Sequence, residues 1–304
     1  MLMRCILYLK GYAVYIIYNK LYKNIFIMRI AICCIVKLEN HYIREWVEHY
    51  KNINVDNVII YDNNDTNGEC LTEVIDDYIK DGFAIIENCR GKEQYQCKAY
   101  KHCFQKFKDL YDYIGFFDAD EFLDVKNVKV FLENKKDVFS NFCCIRIPWR
   151  IYDDNNIVET NNNYSIKRFT RFHNHRGCKS IINTKFNIGN NMTPHGPLNI
   201  NACDPNGKKC DSKDLFICNS IKEQNYDVWL NHYMLKTIDE YIHHKQVRLY
   251  PDQTKKSAIS KLTLERFFAY NELTDEKINY LKKQNIRINL SDFNNLYLRD
   301  KGFK

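Results

Sequence analysis

The chain has 304 residues, 45% hydrophobic and 14% aromatic, with a formal net charge of +7. That length holds one large domain or two small ones and carries enough apolar mass for a sizeable core. So modest a charge, with no concentrated basic stripe, argues against a dedicated nucleic-acid binder and suits an anionic small ligand.

Residues 1–28 open the chain. Cys5 to Tyr18 is largely apolar but carries Lys10, and the uninterrupted run is too short to span a bilayer. No small-residue cleavage site follows, so a removed signal peptide is not expected. Three readings remain: a weak anchor making peripheral membrane contact, an added amphipathic helix, or an over-long start with Met28 as initiator. The expected location is cytoplasmic or membrane-associated rather than secreted.

Arg29 to Val36 is a compact apolar run, which predicts a fully buried strand. Ile43, Trp46, Val47 and Tyr50 then recur at helical spacing. Val58 to Tyr61 predicts a second strand, closed by a turn-forming cluster from Asp62 to Gly68. Leu71, Val74, Ile75, Tyr78 and Ile79 predict a second helix, Phe83 to Ile86 a third strand, Ala99 to Leu110 a third helix, and Tyr113 to Phe117 a fourth strand. This β-α-β-α-β-α-β series predicts an α/β fold, a parallel sheet with helices on both faces. Ligands bind such sheets outside the carboxyl ends of the strands. Lys37 to Asn40, Asp62 and Asp118 to Asp120 all fall at such ends.

The fourth strand runs into Asp118-Ala119-Asp120-Glu121. Burying unpaired carboxylates is costly, so the strand must end where these acids meet a cleft or a cation. Alternation of side chains along a strand makes Asp118 and Asp120 converge, and oxygen ligands of this type suit Mg²⁺ or Mn²⁺. Taken alone, D-x-D reads equally well as a solvated acidic loop. No G-x-G-x-x-G or G-x-x-x-x-G-K-[ST] follows the first strand, which removes the glycine cradles for phosphate. A phosphatase with an aspartyl nucleophile needs its acids after the first strand, not the fourth.

Beyond residue 124 the alternation stops. Cys143 to Pro148 predicts a strand leading to Trp149, and Asp153 to Asn163 an Asn-rich loop. Tyr164 to Asn187 is mixed, Thr193 to Pro197 is a rigid turn carrying His195, and 201–214 reads as an exposed loop. Trp229 to Thr237 precedes a helix with Tyr241, Lys245 and Arg248, and another helix lies around Leu262 to Tyr270. The thirteen cysteines contain no C-x-x-C pair, which argues against a zinc ribbon. Cys178, Cys203, Cys210 and Cys218 are expected as reduced thiols, with a disulfide or metal knot as the alternative.

Several segments together resemble the glycosyltransferases of the family-2-like and family-92 type. They are IAICCIVKLENHYIREWVEHY, NVIIYDNN, QCKAYKHC, YIGFFDADEFL, CKSII and NHYMLKT, in matching order across residues 29–250. Lys37-Leu38-Glu39-Asn40 departs from the Asn-Glu pair of many relatives, and 185–215 follows no shared pattern. The resemblance implies a GT-A, nucleotide-diphospho-sugar transferase fold over 29–250, followed by a helical extension at 251–304. It implies a nucleotide-sugar donor, UDP-linked before others, and a glycan, lipid or protein acceptor, with no nucleic-acid partner. On the residues, it implies that Lys37, Glu39 and Asp62 contact base and ribose. Asp118 and Asp120 match the D-x-D pair, with Asp120 binding Mn²⁺ or Mg²⁺, Asp118 facing the ribose or the metal's water shell, and His232 completing the metal sphere.

By the same resemblance Arg90, Gln96 and Lys98, at or after the third strand's end, are expected to approach the diphosphate or the acids. Glu121 and Glu240 are candidate bases, with Glu121 also readable as a structural anchor of the strand end. Trp149 reads either as a sugar platform or as core. His195 reads as packed or exposed before it reads as a ligand, and His41 and His49 as surface or capping residues. The function expected is metal-dependent glycosyl transfer; the alternatives are a binding module without turnover and a nucleotidyl- or phosphotransferase using the same acids.

Overall fold

The computed structural model describes residues 28–161, 163–210, 225–248, 259 and 261–286. Strand β1 (Ile30–Val36) is buried along its whole length. Its side chains alternate between two cores, as a strand inside a sheet must. Ile30, Ile32, Cys34 and Val36 face helices α1 (Asn40–Asn52) and α2 (Thr72–Lys80), meeting Ile43, Trp46, Val47, Tyr50 and Ile75. Ala31, Cys33 and Ile35 face the opposite side, where α3 (Gln96–Phe107) contributes Ala99, Tyr100, Cys103, Phe104 and Phe107. Helices therefore cover both faces, as the α/β expectation requires.

Strands β2 (Asn57–Asp62), β3 (Ala84–Asn88) and β4 (Tyr113–Phe116) run parallel with β1 in the order β3-β2-β1-β4. After β5 (Glu121–Asp124) and the short helices α4 (Val128–Asn134) and α5 (Lys136–Phe139), the chain returns as β6 (Cys144–Tyr152). A single helical turn, α6 (Ser165–Arg168), leads into β7 (Phe172–Asn183), which runs antiparallel to both β4 and β6. A small hairpin, β8 (Met192–Thr193) and β9 (Gly196–Pro197), follows. β10 (Ala202–Cys203) and β11 (Trp229–His232) complete the sheet beside β6, and β11 pairs antiparallel with β5. The sheet is thus parallel through its first four strands and mixed beyond them.

Two sequence expectations change here. Residues 202–203 are not an exposed loop: Ala202 and Cys203 are fully buried beside β6. The mixed stretch 164–187 resolves into α6 and the long strand β7. Cys178, Cys203 and Cys210 are buried thiols, not disulfides, and Cys218 lies outside the described residues. The readings attached to residues 1–27 also lie outside the described residues. Among those described, no helix is long and apolar enough to cross a membrane.

The C-terminal helices form a third apolar cluster. Met234, Leu235, Ile238, Tyr241, Phe267, Phe268 and Leu281 pack with Ile151 of β6. Met234 and Leu235 follow β11, and the others sit on α7 (Ile238–Glu240), a π turn (Tyr241–Lys245) continued by α8 (Gln246–Arg248), α9 (Leu264–Tyr270) and α10 (Asp275–Lys283). Two buried ion pairs tie this cluster to the connection between β6 and β7, Lys277–Asp154 at 2.6 Å and Arg168–Glu240 at 2.7 Å.

Candidate active site

β4 ends beside the carboxyl end of β1, where the Phe117 amide still donates to the Cys33 carbonyl at 3.0 Å. The chain then turns through Asp118-Ala119-Asp120 into β5. Glu121 closes this turn: its Oε2 accepts from the Asp118 amide at 2.8 Å, and its own amide donates to the Asp118 carbonyl at 3.0 Å. Helix α1 clamps the same turn. Trp46 Nε1 donates to the carbonyls of Asp118 and Glu121, and the Tyr50 hydroxyl donates to that of Glu121 at 2.9 Å. The amides and carbonyls of Asp118 and Glu121 are thereby satisfied, and the two aspartate side chains project into a cleft of about 330 Å³.

Asp118 Oδ1 accepts from Gln96 Nε2 at 2.9 Å and from the Tyr100 hydroxyl at 3.1 Å, both on α3. Its Oδ2 pairs with Lys179 Nζ of β7 at 2.8 Å. Burial is the largest influence and pushes the Asp118 carboxyl up, but the charge and hydrogen bond of Lys179, with His232, together bring it below its ordinary value. Asp120 Oδ2 pairs with Lys245 Nζ at 2.9 Å, and its Oδ1 lies 3.4 Å from His232 Nε2. Here too burial pushes up while Lys245 and His232 pull harder, holding this carboxyl well below the ordinary range. Burial pushes the His232 imidazole down against the pull of Asp120.

Lys179 does more than neutralise Asp118. Its ammonium also donates to the Pro194 carbonyl at 2.9 Å, tying the β8–β9 hairpin to the acids. Gly196 completes that hairpin at φ +126, and a Cβ there would sit 2.3 Å from Ser180 Oγ. His195 is held in the cleft wall by this turn. Its Nδ1 lies 3.0 Å from the Cys178 carbonyl, which can only accept, so Nδ1 carries the proton.

The family-92 model matches residues 30–201, more than half of the chain. The chain belongs to glycosyltransferase family 92. A family-92 protein of Ricinus communis is 26% identical over 120 residues, which is 38% of this chain and 21% of that relative. The match therefore spans about a fifth of the relative's length. The crystal structure of S. aureus TarS 1–349 with UDP-GlcNAc overlays with a TM-score of 0.42 at 12% identity, covering 84% of this chain and 80% of TarS. That of GalNAc-T7 with UDP, GalNAc and Mn²⁺ gives a TM-score of 0.34 at 18% identity, covering 42% and 24%.

In this family-92 chain the structure gathers only part of the predicted site. Asp118, Asp120, Gln96, His232, His195 and Trp149 line one cleft. Trp149 is wedged among histidines, stacked on His175 at 5.8 Å and tilted against His232 at 4.7 Å. Lys37 instead pairs with Asp65, and Lys98 is exposed on α3, so neither lines the cleft. Asp62 and Arg90 bind each other at 2.8 Å, and Arg90 also holds the carbonyls of Asp65, Gly68 and Glu69, which makes it a clamp on the loop after β2. Glu39 is buried and pairs with Arg248.

Neither glutamate is placed as a base. Glu240 is held by both Arg168 guanidinium nitrogens, by the Tyr42 hydroxyl and by the Thr237 capping box. Burial is the largest influence and opposes its ionisation, but Arg168, Lys236 and the Thr237 amide together bring its carboxyl down to about 2. Glu121 is spent on the turn, and burial raises its carboxyl well above the ordinary value.

Sequence reasoning assigned no role to Lys179, Lys245 or Lys236. Lys236 is buried over the Tyr42 ring, 4.0 Å from its centroid, and adds to the positive field on Asp120. The readable signal for Lys179 is a lysine inside an apolar strand, which demands a buried acidic partner.

Two carboxylates and an imidazole are a fitting donor set for Mn²⁺ or Mg²⁺. His232 Nδ1 lies 3.8 Å from Glu121 Oε1, and both are buried atoms lacking hydrogen-bond partners, so a carboxylate stands near the nitrogen that a ligating His232 would turn away from the metal. As the side chains stand, no three His, Cys, Asp or Glu residues among those described converge closely enough to hold an ion. Lys179 and Lys245 instead provide the positive charge at the two aspartates.

Proposed function

We propose that this chain transfers a sugar from a nucleotide-diphosphate sugar to a hydroxyl of a glycan, lipid or protein, with UDP-sugars the first donors to test. One observation carries the reading: Asp118 and Asp120 stand at the carboxyl edge of the parallel strands, in a cleft also lined by Lys179, Lys245, Arg248 and Arg266. Breaking a sugar–phosphate bond leaves negative charge on the departing diphosphate. Fixed cations in a partly closed cleft stabilise that charge as it develops. Mn²⁺ or Mg²⁺ held by Asp118, Asp120 and His232 would add to this stabilisation when bound.

His195 is the group in this cleft suited to take the acceptor proton. Its Nδ1 proton is committed to the Cys178 carbonyl, which leaves Nε2 as the accepting nitrogen. Burial and the Lys179 charge bring its imidazole down to about 4. A bound diphosphate beside Lys179 offsets that charge and raises the basicity of the ring.

The test incubates the chain with a panel of nucleotide sugars, with and without Mn²⁺, and follows donor hydrolysis and transfer. Wild type should turn over at least one donor and Asp120→Asn none. Full turnover by Asp120→Asn in EDTA would sink the reading. A product whose anomeric carbon remains on phosphate would reassign the chain to nucleotidyl or phosphoryl transfer. Tight donor binding without turnover across many acceptors would reassign it to a binding module.

A further inference from the structure

The positive charge on Asp120 is supplied by a side chain that has somewhere else to go. Lys245 closes the π turn Tyr241–Lys245, and its ammonium meets Asp120 Oδ2 at 2.9 Å. π turns insert one extra residue into a helix and recur at functional sites. Asp120 is buried, with 5% exposure, so it cannot exchange a counter-ion for water at low cost. A divalent cation held by Asp120 would compete with Lys245 for its carboxylate, and a buried ammonium released from Asp120 would be stabilised by a new anion.

The same cleft provides for one. Lys261 and Arg266 line it together with Lys245, beside Arg248, which Glu39 holds, so an anion drawn in by these residues shares the cleft with the lysine. We propose that Lys245 is a displaceable counter-ion of Asp120, which makes divalent-cation binding at the acid pair depend on a bound diphosphate. Lys245 hands Asp120 to the cation and takes the diphosphate as its own partner. The inference rests on the donor reading above, and it assigns Lys245 a positioning role.

The experiment measures Mn²⁺ binding by the full chain, from the EPR signal of free Mn²⁺, with Mn²⁺ alone, with inorganic pyrophosphate and with UDP. Pyrophosphate and UDP chelate Mn²⁺ themselves, so the decisive comparison is Mn²⁺ alone on wild type and on Lys245→Met. Removing the lysine should tighten Mn²⁺ binding by about tenfold, while the gain from added UDP shrinks by a similar factor, because coupling between two ligands is reciprocal. Lys245→Arg, which keeps the charge, should behave as wild type. Lys245→Gln gives the same comparison if the methionine variant does not fold. Unchanged or weaker Mn²⁺ binding in both neutral variants would overturn the role of Lys245. If the neutral variants gain Mn²⁺ affinity yet no nucleotide binds to any form, the role stands and the donor reading falls.

Discussion

Lys245 Nζ lies 2.9 Å from Asp120 Oδ2, although 125 positions separate the two residues along the chain. Both are buried, and each removes the cost of burying the other. Asp120→Asn should abolish turnover and also destabilise the fold by roughly 3 kcal/mol, because a buried lysine is left without its counter-charge. The double variant Asp120→Asn with Lys245→Met should recover most of that stability and none of the turnover. Urea denaturation alongside the transfer assay checks both statements.

Glu240 provides the opposite case, an acid whose removal should harm folding more than chemistry. Its carboxylate is bound by Arg168, Tyr42 and Thr237, away from the cleft lining. Glu240→Gln or Arg168→Met should cost on the order of 3–5 kcal/mol of stability while kcat per folded molecule stays near wild type. A large fall in kcat without loss of stability would return Glu240 to the list of bases.

His195→Gln should lower the transfer rate by about 10²-fold or more, with the donor Kd unchanged, if Nε2 receives the acceptor proton. The pH profile of the remaining activity should lose its acidic limb. A change confined to donor affinity would place His195 in binding instead.

Gly177 lies against Trp149, and a Cβ there would sit 2.0 Å from the indole ring. Gly177→Ala should cost about 1–3 kcal/mol and displace the ring, since a packed core has little room for an added methyl group. Indole fluorescence and the thermal midpoint report the two effects together.

Acid should weaken the fold in two stages. Burial brings His49 down from 6.5 to about 4, with its hydrogen bond to the Leu123 carbonyl opposing, and His195 reaches about 4 by burial and the Lys179 charge. The unfolded chain then binds protons that the fold does not, so stability falls as pH drops from 6.5 toward 4. Glu240, at about 2 against an ordinary 4.5, extends the loss below pH 4.5. His49→Gln should flatten the first stage, as read from thermal midpoints between about pH 7.5 and pH 4.

The parallel half of the fold is legible because each strand is buried on both faces and therefore written as an unbroken apolar run, as in Ile30–Val36. α1 is legible from one apolar stripe carrying Trp46 and Tyr50. β10, with two residues, is too short to show a period, and β5 is paired by β11 from a distant part of the chain. The site divides in the same way. Asp118 and Asp120 announce themselves by standing at the end of an apolar strand. Lys179 reaches Asp118 because the β4–β7 register sets Phe116 opposite Ser180, a fact of pairing that no local pattern carries. Arg90 and Asp62 look like ligand contacts in the sequence, but the structure joins them to each other.

The distance along the chain between Asp120 and its partners also sets an order of events during synthesis. Synthesis delivers the N-terminal segments first, while a domain generally folds as a unit. When β4 and the acid turn have left the ribosome, Lys179, His232 and Lys245 are still untranslated. The N-terminal strands can assemble at that stage, but only with two carboxylates exposed at their edge. The residues translated last therefore decide when the cleft acquires its charge balance, and a nascent chain stalled before residue 179 carries the acid pair without Lys179, His232 or Lys245.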